Sequence, residues 1–496
     1  MDVINGIISV CSPVLLMYCF AGCFLGTLVG VLPGLGPAAT MAILLPVTMT
    51  AQNPTGSIIM LAGLYYGAAY GGSTTSILTN IPGEVSSIPT CFDGFPMTKQ
   101  GRGGEALWIA AVGSFIAGTL GTLALSVIGP GFARFAITFG PPEYFGLLFF
   151  SLTAIISLAG DSLTKGLAVG VIGMVLATTG ADPVSGGQFR FDFGLIALQR
   201  GLDLVPVAVG LFGIGEILIS SEAGIGKIYE GAIGKMMPRG KELRKGLMAA
   251  LRGTALGFPL GMLPGMTPPV ASFMAYDLEK KLSKNPEKFG TGVIEGVAAP
   301  ESANNANAQA GFIPLMAFGI PTGPSMALIL AALMMYGLQP GPMLFIANKD
   351  FVWTIIGSMY VGNVMLLVLN LPLVGMWARL SQVPYKYLAP VILSVCVIAA
   401  YSTRNTMFDV WVAIVAGVVG YLMKKFQWPV APLILGFILG PMIEVSLNQS
   451  LNMGGPAILV TRPIGGGLLA LSVVVVAVAA YLRKRVPKGV LEDDTD

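Results

Sequence analysis

The chain has 496 residues, of which 54% are hydrophobic and 11% are charged, and its formal net charge is +3. Soluble domains carry about 25% charged residues, so this composition excludes a soluble protein with a charged surface. Histidine is absent, which excludes Ser-His-Asp hydrolysis, HExxH metalloprotease sites and His-based proton relays. The sequence contains no GxxxxGKS or GxxxxGKT phosphate loop, so we expect the chain itself not to hydrolyse ATP.

Long uncharged runs occupy both halves of the chain. Val3–Gly83 and Ser302–Asn348 contain no Asp, Glu, Lys or Arg. A membrane-spanning helix needs about 20 mostly apolar residues. The sequence therefore predicts an all-α polytopic membrane protein with about 11–14 membrane segments. We expect the lipid bilayer, but no nucleic acid, among its partners.

The first uncharged run contains strong helix breakers. GTLVGVLPGLGP (Gly26–Pro37) places Gly and Pro where a membrane helix should continue. In hydrocarbon an unpaired backbone group is costly, so irregular backbone must be buried in protein or line a polar cavity. This motif alone fits a kink or a packing position, since small residues let helices approach closely. It fits a broken helix at a binding site equally well.

The same breakers return in the second half as part of an internal repeat. GFPLGMLPGMTP (Gly257–Pro268) keeps the pattern G-x3-G-x-L-P-G-x2-P. Further matches follow in the same order: GAAYGGS (Gly67–Ser73) with GVAAPES (Gly296–Ser302), Ile81-Pro82 with Ile320-Pro321, GSFIAG (Gly113–Gly118) with GSMYVG (Gly357–Gly362), and PPEY (Pro141–Tyr144) with PYKY (Pro384–Tyr387). Matches in one order along the chain indicate a duplication.

The positions of Lys and Arg predict how the two halves cross the membrane. Lys227–Lys245, Lys424-Lys425 and Arg483–Lys488 are basic, which is typical of cytoplasmic segments. Ala106–Ile128 and Phe351–Trp377, equivalent in the repeat, then cross in opposite directions, and the N-terminus lies outside. We predict two inverted-topology repeats with broken helices or re-entrant hairpins. The boundaries are 1–221 for the first repeat, 222–245 for a cytoplasmic basic linker, 246–446 for the second repeat, and 447–496 for an external loop, an extra final transmembrane helix and a cytoplasmic tail.

Broken helices at matching points of inverted halves are typical of a transporter's central binding site. Freed N–H groups at helix N-termini favour an anion, and freed carbonyl groups favour Na⁺. Uncharged polar side chains beside the breaks add neutral hydrogen bonds. The candidate substrate- or ion-binding residues are Pro33, Gly34, Gly36, Pro37, Ser73, Thr74, Thr75, Asn80, Pro264, Gly265, Thr267, Pro268, Glu301, Ser302, Asn304, Asn305, Asn307, Thr322 and Ser325.

The acidic residues near apolar runs have different predicted roles. Glu301 lies inside the polar stretch, and a carboxylate within a membrane segment is a functional candidate by default. It either couples transport to a cation and organises the site, or it caps a helix near Pro300. Glu216 and Glu444 end apolar runs and are predicted to be interfacial. A metal site for Na⁺ near the helix breaks is expected, with its ligands undetermined.

Three segments resemble the large membrane subunit of the tripartite tricarboxylate transporters, the TctA family. They are GVLPGLGPAATMAILLP, LPGMTPPVASFMAY, and the long stretch from EGVAAPESANNANAQAGFIP to MYGLQPGP. The similarity extends from about Gly22 to the last helix. Pro33, Gly34, Gly36 and Pro37 match one signature loop, while Pro264, Gly265, Thr267 and Pro268 match the other. Thr267 stands where the first loop has Gly36, so the two loops are not strictly equivalent.

The resemblance implies a transport function and no enzymatic activity. Such a subunit forms the pathway for a tricarboxylate or related organic acid across the bacterial inner membrane. It works with a small TctB-like membrane subunit and a periplasmic TctC-like solute-binding protein. The resemblance also implies a cation gradient as the driving force, an elevator-like movement, and no cofactor besides the co-transported Na⁺ or H⁺. The absence of His and the carbonyl-rich breaks favour Na⁺.

Three other functions are open to test. A stand-alone ion-coupled anion carrier would share the broken helices but need no binding protein. An intramembrane enzyme without His would need a Ser-Lys or Asp-Asp pair, and the sequence shows none in matching apolar segments. A passive scaffold that only docks a soluble partner has no need for paired broken helices.

Overall fold

The computed structural model describes residues 2–32, 36–158, 162–184, 186–222, 234–380, 383 and 385–485. These residues form helices α1–α24 and one two-stranded antiparallel ladder, β1 (Gly180–Ala181) with β2 (Phe189–Arg190). The predicted all-α class is confirmed. Pro33 and Gly34 of the first signature loop lie outside the described residues, as does part of the predicted 222–245 linker.

The first half of the chain contains eleven α-helices in the described residues. Their bounds are α1 Asp2–Val10, α2 Pro13–Val31, α3 Pro37–Thr50, α4 Pro54–Thr79, α5 Ile88–Lys99, α6 Gly103–Ala136, α7 Pro141–Leu158, α8 Leu163–Ala177, α9 Ile196–Gln199, α10 Leu204–Ala208 and α11 Gly215–Glu222. A 3₁₀ turn, Val85–Ser87, precedes α5, and a π-helical segment, Val209–Ile214, joins α10 to α11.

The second half continues with thirteen α-helices. Their bounds are α12 Lys241–Gly261, α13 Pro268–Leu282, α14 Glu295–Ala310, α15 Phe312–Phe318, α16 Pro324–Met335, α17 Pro342–Ala347, α18 Lys349–Asn370, α19 Val374–Leu380, α20 Tyr385–Arg404, α21 Met407–Lys425, α22 Ala431–Gly454, α23 Ile458–Thr461 and α24 Pro463–Arg485. A 3₁₀ turn, Pro286–Lys288, lies between α13 and α14.

Nine helices of the described chain are long and apolar enough to cross a membrane. They are Pro13–Val31, Gly103–Ala136, Pro141–Leu158, Leu204–Glu222, Lys349–Asn370, Lys386–Arg404, Met407–Lys425, Ala431–Gly454 and Pro463–Tyr481. The helices α3, α8 and α16 are apolar but only 14, 15 and 12 residues long. The chain is therefore a polytopic membrane protein.

The helix breakers act as the sequence predicts. Helix α2 ends at Val31 and α3 begins at Pro37. In the second half α12 ends at Gly261 and α13 begins at Pro268. Proline suits the first position of a helix, because its fixed φ is helical and that position needs no N–H donor. Each motif thus ends one helix and starts the next.

Glycines on α2 and α12 allow the same close helix packing in both halves. On α2, Gly22, Gly26 and Gly30 lie against the backbone of Met60, Leu64 and Ala68 in α4. On α12, Gly253, Gly257 and Gly261 lie against the backbone of Ala299, Ala303 and Asn307 in α14. Small residues at every fourth position let two backbones approach. This recurrence agrees with a duplicated sequence, whereas the opposite membrane directions of the halves remain a prediction.

The chain divides into two compact units. Unit 1 comprises Met1–Ala136 and Val205–Leu422, and unit 2 comprises Ile137–Leu204 and Met423–Asp496. Each predicted repeat therefore contributes to both units. In unit 2, α22 packs on α8 and α7, and α24 packs on α7. In unit 1, α4 and α14 are buried along almost their whole length.

We predict that Gly257→Ala lowers the free energy of unfolding by about 1–3 kcal/mol, as overpacking does in close-packed interiors. A methyl group at Gly257 lies 2.2 Å from the carbonyl oxygen of Ala303, a backbone atom that cannot turn aside. The measurement is the thermal unfolding midpoint of the purified protein in detergent. Gly131→Ala is the matched control, since no atom lies within 4 Å of the new methyl group. Equal midpoints for the two variants contradict the packing argument.

Candidate functional site

Helix α14 carries an unusual number of polar side chains in a fully buried position. Every residue from Gly296 to Ala310 is buried. Its polar residues are Glu301, Ser302, Asn304, Asn305, Asn307 and Gln309, each no more than 1% exposed. Buried polar groups need hydrogen-bond partners. The hydrogen-bond partners of this helix therefore show which groups form the site.

Glu301 joins α14 to the segment around α5 of the first half. Thr90 Oγ1 donates to Glu301 Oε1 at 2.5 Å, and Asn304 Nδ2 donates to Glu301 Oε2 at 3.2 Å. Asn304 Nδ2 also lies 3.4 Å from Ser86 Oγ, which donates to a carboxylate oxygen of Glu84. Two acidic side chains from different halves thus share one hydrogen-bond network.

Asn305 extends the network to helix α6. Its Nδ2 donates to Ser114 Oγ at 2.9 Å and to the backbone carbonyl of Glu301 at 2.9 Å. The same Nδ2 also donates to Asn304 Oδ1 at 2.7 Å. Ser114 Oγ in turn donates to the Glu301 carbonyl at 3.2 Å. The cluster formed by Glu84, Ser86, Thr90, Ser114, Glu301, Asn304 and Asn305 is called the acidic cluster below.

No Lys or Arg forms an ion pair with Glu84 or Glu301 in the part of the chain that the structure describes. The described ion pairs lie elsewhere, such as Arg252 with Glu279 at 2.5 Å. Glu444, predicted to be interfacial, accepts a 2.5 Å hydrogen bond from Arg190 within unit 2. The acidic cluster therefore holds its carboxylates with neutral donors.

The second signature loop lies against the other end of α14 and the loop before α16. Asn307 Nδ2 donates to the Met266 carbonyl at 2.9 Å, and the Gly265 N–H donates to the Thr322 carbonyl at 3.1 Å. Gly265 has φ +82°, a conformation that favours glycine. A methyl group at Gly323 lies 2.8 Å from Thr267 Cγ2. The loops that begin α13 and α16 are therefore in contact.

Both of these helices begin without an acidic cap. Thr267 precedes α13 and Gly323 precedes α16; neither makes a side-chain cap hydrogen bond, and neither first turn contains an acidic residue. Helix α3 begins after Gly36 in the same way, and space around Gly36 is open. The first N–H groups of a helix lack intrahelical acceptors and favour negative charge. The contact of two such N-termini is a candidate anion site, called the paired N-termini below.

The polar residues of the first half have mainly local partners. Ser73 Oγ donates to the Tyr70 carbonyl at 2.7 Å, and Thr75 Oγ1 donates to the Gly72 carbonyl at 3.2 Å, both within α4. Thr74 is buried in the same helix. Asn80 is exposed and ends α4 with φ +59°. The structure thus brings the Glu301, Asn304 and Asn305 candidates together, whereas Asn80 lies at a helix end.

Several buried oxygens of α14 lack a hydrogen-bond partner among the described residues. They are Ser302 Oγ, Asn305 Oδ1, Asn307 Oδ1 and Gln309 Oε1. A methyl group at Gly113 lies 2.8 Å from Ser302 Oγ, and one at Gly121 lies 3.1 Å from Gln309 Cβ, so both side chains lie beside α6. Thr322 and Ser325 are buried near the start of α16. Unpaired buried oxygens are costly and indicate room for a ligand or water.

The model of the tripartite tricarboxylate transporter TctA family matches residues 16–435 of the chain. The chain belongs to this family. It is 45% identical over the full length of both chains to an uncharacterized 52.8 kDa protein in the TAR-I ttuC' 3' region of Agrobacterium vitis. It is also 45% identical, over 48% of its own length, to the whole of an uncharacterized protein in the TAR-II ttuC' 3' region of the same organism. No solved structure matches the chain.

Sequence reasoning missed several residues of this TctA-family site. Ser86 and Thr90 form hydrogen bonds with α14, more than 200 residues away in the chain, and Glu84 joins this network through Ser86. One signal was available for Glu84, because it ends the first uncharged run directly after Pro82-Gly83. The hydroxyl residues offered no comparable signal, since Ser and Thr are common in membrane helices.

Asp93 was also missed, and it fixes the start of α14. Its Oδ1 accepts hydrogen bonds from the N–H groups of Gly290, Gly292 and Val293 at 2.8–3.0 Å. Its Oδ2 accepts one from the Tyr276 hydroxyl at 2.9 Å. Several N–H donors stabilise an ionised carboxylate strongly. Asp93 therefore positions the polar helix of this TctA-family protein.

We predict that Asp93→Asn lowers the free energy of unfolding by about 1–3 kcal/mol, because a neutral amide is a weaker acceptor for three buried N–H groups. Hydrogen exchange should rise first in the Gly290–Gly296 backbone, and mass spectrometry can localise it. Asp277→Asn is the control, because its 2.5 Å pair with Lys281 is exposed and contributes little. Unchanged exchange at Gly290–Gly296 contradicts the anchoring role of Asp93.

Proposed function

We propose that the chain is the translocation subunit of a binding-protein-dependent secondary transporter that imports a tricarboxylate or related organic acid. In this proposal a cation gradient drives uptake across the bacterial inner membrane. A periplasmic TctC-like protein delivers the substrate, and a small TctB-like membrane subunit completes the complex. The family membership supports this assignment, and the site chemistry supports an anionic substrate.

The paired N-termini carry the proposal. The loops before α13 and α16 touch at Thr267 and Gly323. Neither helix has an acidic first turn that would occupy its N–H groups. Pro268, Pro269 and Pro324 have no N–H group, so the first-turn donors are the N–H groups of Val270 in α13 and of Ser325 and Met326 in α16. A carboxylate can accept hydrogen bonds from these groups, and the positive helix ends attract its charge. The site therefore suits an organic acid better than a neutral or cationic solute.

The neutral character of the site supports transport rather than permanent binding. Asn307 supports the Met266 carbonyl with its amide nitrogen, and its Oδ1 has no partner among the described residues. The stretch from Ser302 to Asn348, which includes Asn307 and the loop before α16, contains no Lys or Arg. A substrate anion held by dipoles and amides depends on a nearby cation for part of its affinity. Departure of that cation then promotes release of the substrate.

An elevator-like movement extends the proposal. Such a mechanism requires a compact body that carries its site through the membrane as a whole. The described residues of the acidic cluster and of the paired N-termini all belong to unit 1. Glycine-mediated contacts of α2 with α4 and of α12 with α14 join the polar helices to long neighbours. These contacts support movement of the site without internal rearrangement.

Reconstituted uptake tests the proposal directly. The full chain is incorporated into proteoliposomes with its cognate small subunit, and the binding protein is added outside. Radiolabelled tri-, di- and monocarboxylates are then compared with and without Na⁺ and proton gradients. Uptake of at least one carboxylate that requires a cation gradient supports the importer. Uptake without the binding protein indicates a stand-alone carrier, and no uptake under any gradient contradicts the proposal.

We predict that Asn307→Ala reduces the initial rate of carboxylate uptake by about tenfold or more, since a hydrogen bond to a charged group contributes about 1.5–3 kcal/mol. The complex should still assemble, because Asn307 contacts the second signature loop at Met266 and lies outside the acidic cluster. Size-exclusion chromatography can show this. The control is Asn285→Ala, an exposed amide between α13 and α14. A scaffold that only docks a partner predicts equal uptake for Asn307→Ala and the wild type.

A further inference from the structure

Four acidic residues around α14 in unit 1, namely Asp93, Glu279, Glu84 and Glu301, fall into two groups. Asp93 receives three N–H groups and a tyrosine hydroxyl, and Glu279 is paired with Arg252 through two hydrogen bonds. Glu301, fully buried, receives only the Thr90 hydroxyl and the Asn304 amide. Glu84, half-buried, accepts a hydrogen bond from Ser86. The carboxylates of Asp93 and Glu279 have their negative charge stabilised by several N–H groups or by an arginine. The carboxylates of Glu84 and Glu301 have no cation among the described residues as an ion-pair partner.

An unpartnered hydroxyl lies beside this pair. Ser87 is 0% exposed, and its Oγ has no hydrogen-bond partner among the described residues. The Cβ position at Gly72 lies 2.6 Å from Ser87 Oγ and 3.3 Å from Glu84 Cγ, so both side chains pack against α4 at the same point. A buried hydroxyl without a partner costs free energy. Its position next to a carboxylate is explained if both bind a ligand.

A second unpartnered oxygen borders the network from α14. Asn305 donates through Nδ2 to three acceptors in the acidic cluster, yet its Oδ1 accepts no hydrogen bond from any described residue. Asn305 is 1% exposed. Two carboxylates, a free hydroxyl and a free amide oxygen are all oxygen ligands. Hard cations prefer such ligands.

We propose that the acidic cluster, with the Ser87 hydroxyl, binds the Na⁺ that drives uptake. A proton satisfies one carboxylate oxygen and leaves Ser87 and Asn305 unpaired, whereas Na⁺ can use several oxygens at once. Mg²⁺ gives up its water reluctantly and usually keeps several water ligands, which a cluster buried in protein suits poorly. The assignment of a coupling role rests on the proposed import function. The presence of the Na⁺ site itself depends only on the geometry of this cluster.

The position of the cluster explains how the cation can assist the anion. Glu301 and Asn307 lie six residues apart on α14, a rise of about 9 Å along the helix axis. Asn307 contacts the signature loop of the paired N-termini. Na⁺ bound at Glu301 therefore offsets carboxylate charge that would repel an anion at that loop through the buried interior, where screening by water is weak. Na⁺ and carboxylate should bind cooperatively.

The test measures ²²Na⁺ binding to the purified full-length chain, without substrate or binding protein. Choline chloride keeps the ionic strength constant. We expect saturable Na⁺ binding to the wild type. Glu301→Gln and Glu84→Gln should each weaken the Na⁺ affinity by at least about tenfold, which is the lower end of the loss expected when a group that supports a bound metal ion is removed. Glu287→Gln removes the same charge from an exposed turn and should bind Na⁺ like the wild type.

The Ser87→Ala variant tests whether Ser87 is a ligand of the cation or a residue that only supports the structure. Because Ser87 Oγ has no partner among the described residues, its removal should leave the unfolding midpoint in choline chloride unchanged or higher. Na⁺ affinity should nevertheless fall several-fold. Loss of affinity at constant stability supports the site even if one of the Glu variants fails to fold.

The outcomes separate this inference from the import function. No saturable ²²Na⁺ binding, or wild-type binding in Glu84→Gln, Glu301→Gln and Ser87→Ala, overturns the site. Carboxylate uptake driven by a proton gradient without Na⁺ overturns the coupling role and leaves the importer intact. Na⁺ binding that is lost in Glu301→Gln, in a complete complex that imports no carboxylate, supports the site and contradicts the importer.

Discussion

The structure of unit 1 depends on burying a polar helix in apolar surroundings. Helix α14 is enclosed along its length, so its amide and carboxyl groups depend on other protein groups, or on a bound ligand, for hydrogen bonds. These partners come from both halves of the chain: Thr90 and Ser114 precede α14 by about 200 residues, and Met266 belongs to the loop just before α13. The polar network therefore fixes how the halves of this unit meet.

Glycine makes that burial feasible. The residues of α2 and α12 that face α4 and α14 at the crossings are glycines. Because no side chain separates the helices there, the backbones come into direct contact. Close contact excludes lipid and water from the polar helices, which strengthens their hydrogen bonds and makes unpaired groups more costly. The break at Gly265 follows from the same constraint: the chain leaves the helix where another protein group, the Thr322 carbonyl, binds its backbone.

Local sequence features determined which parts could be predicted. Gly and Pro impose their backbone preferences on their own positions, so the breaks before Pro37 and Pro268 were predicted correctly. The Asn-rich run identified α14 because uncharged polar residues stand out against an apolar background. Partner residues such as Thr90 and Asp93 could not be predicted, since a hydrogen bond between distant segments leaves no local pattern. Local polarity also selected Asn80, which ends α4 in a left-handed conformation, and its role in binding stays a prediction.

The distribution of charge connects the architecture with transport. A fixed Arg or Lys beside the paired N-termini would hold a carboxylate tightly, and release would then require that ion pair to break in a low dielectric. Described cations form ion pairs elsewhere, among them Arg252 with Glu279, Lys245 with Glu295 and Arg190 with Glu444. At Glu84 and Glu301 the protein places carboxylates that form no ion pair with a described Lys or Arg. In the proposed mechanism, a mobile cation neutralises these carboxylates when the substrate is loaded and leaves with it. The anion and the cation would then each lower the electrostatic cost of burying the other.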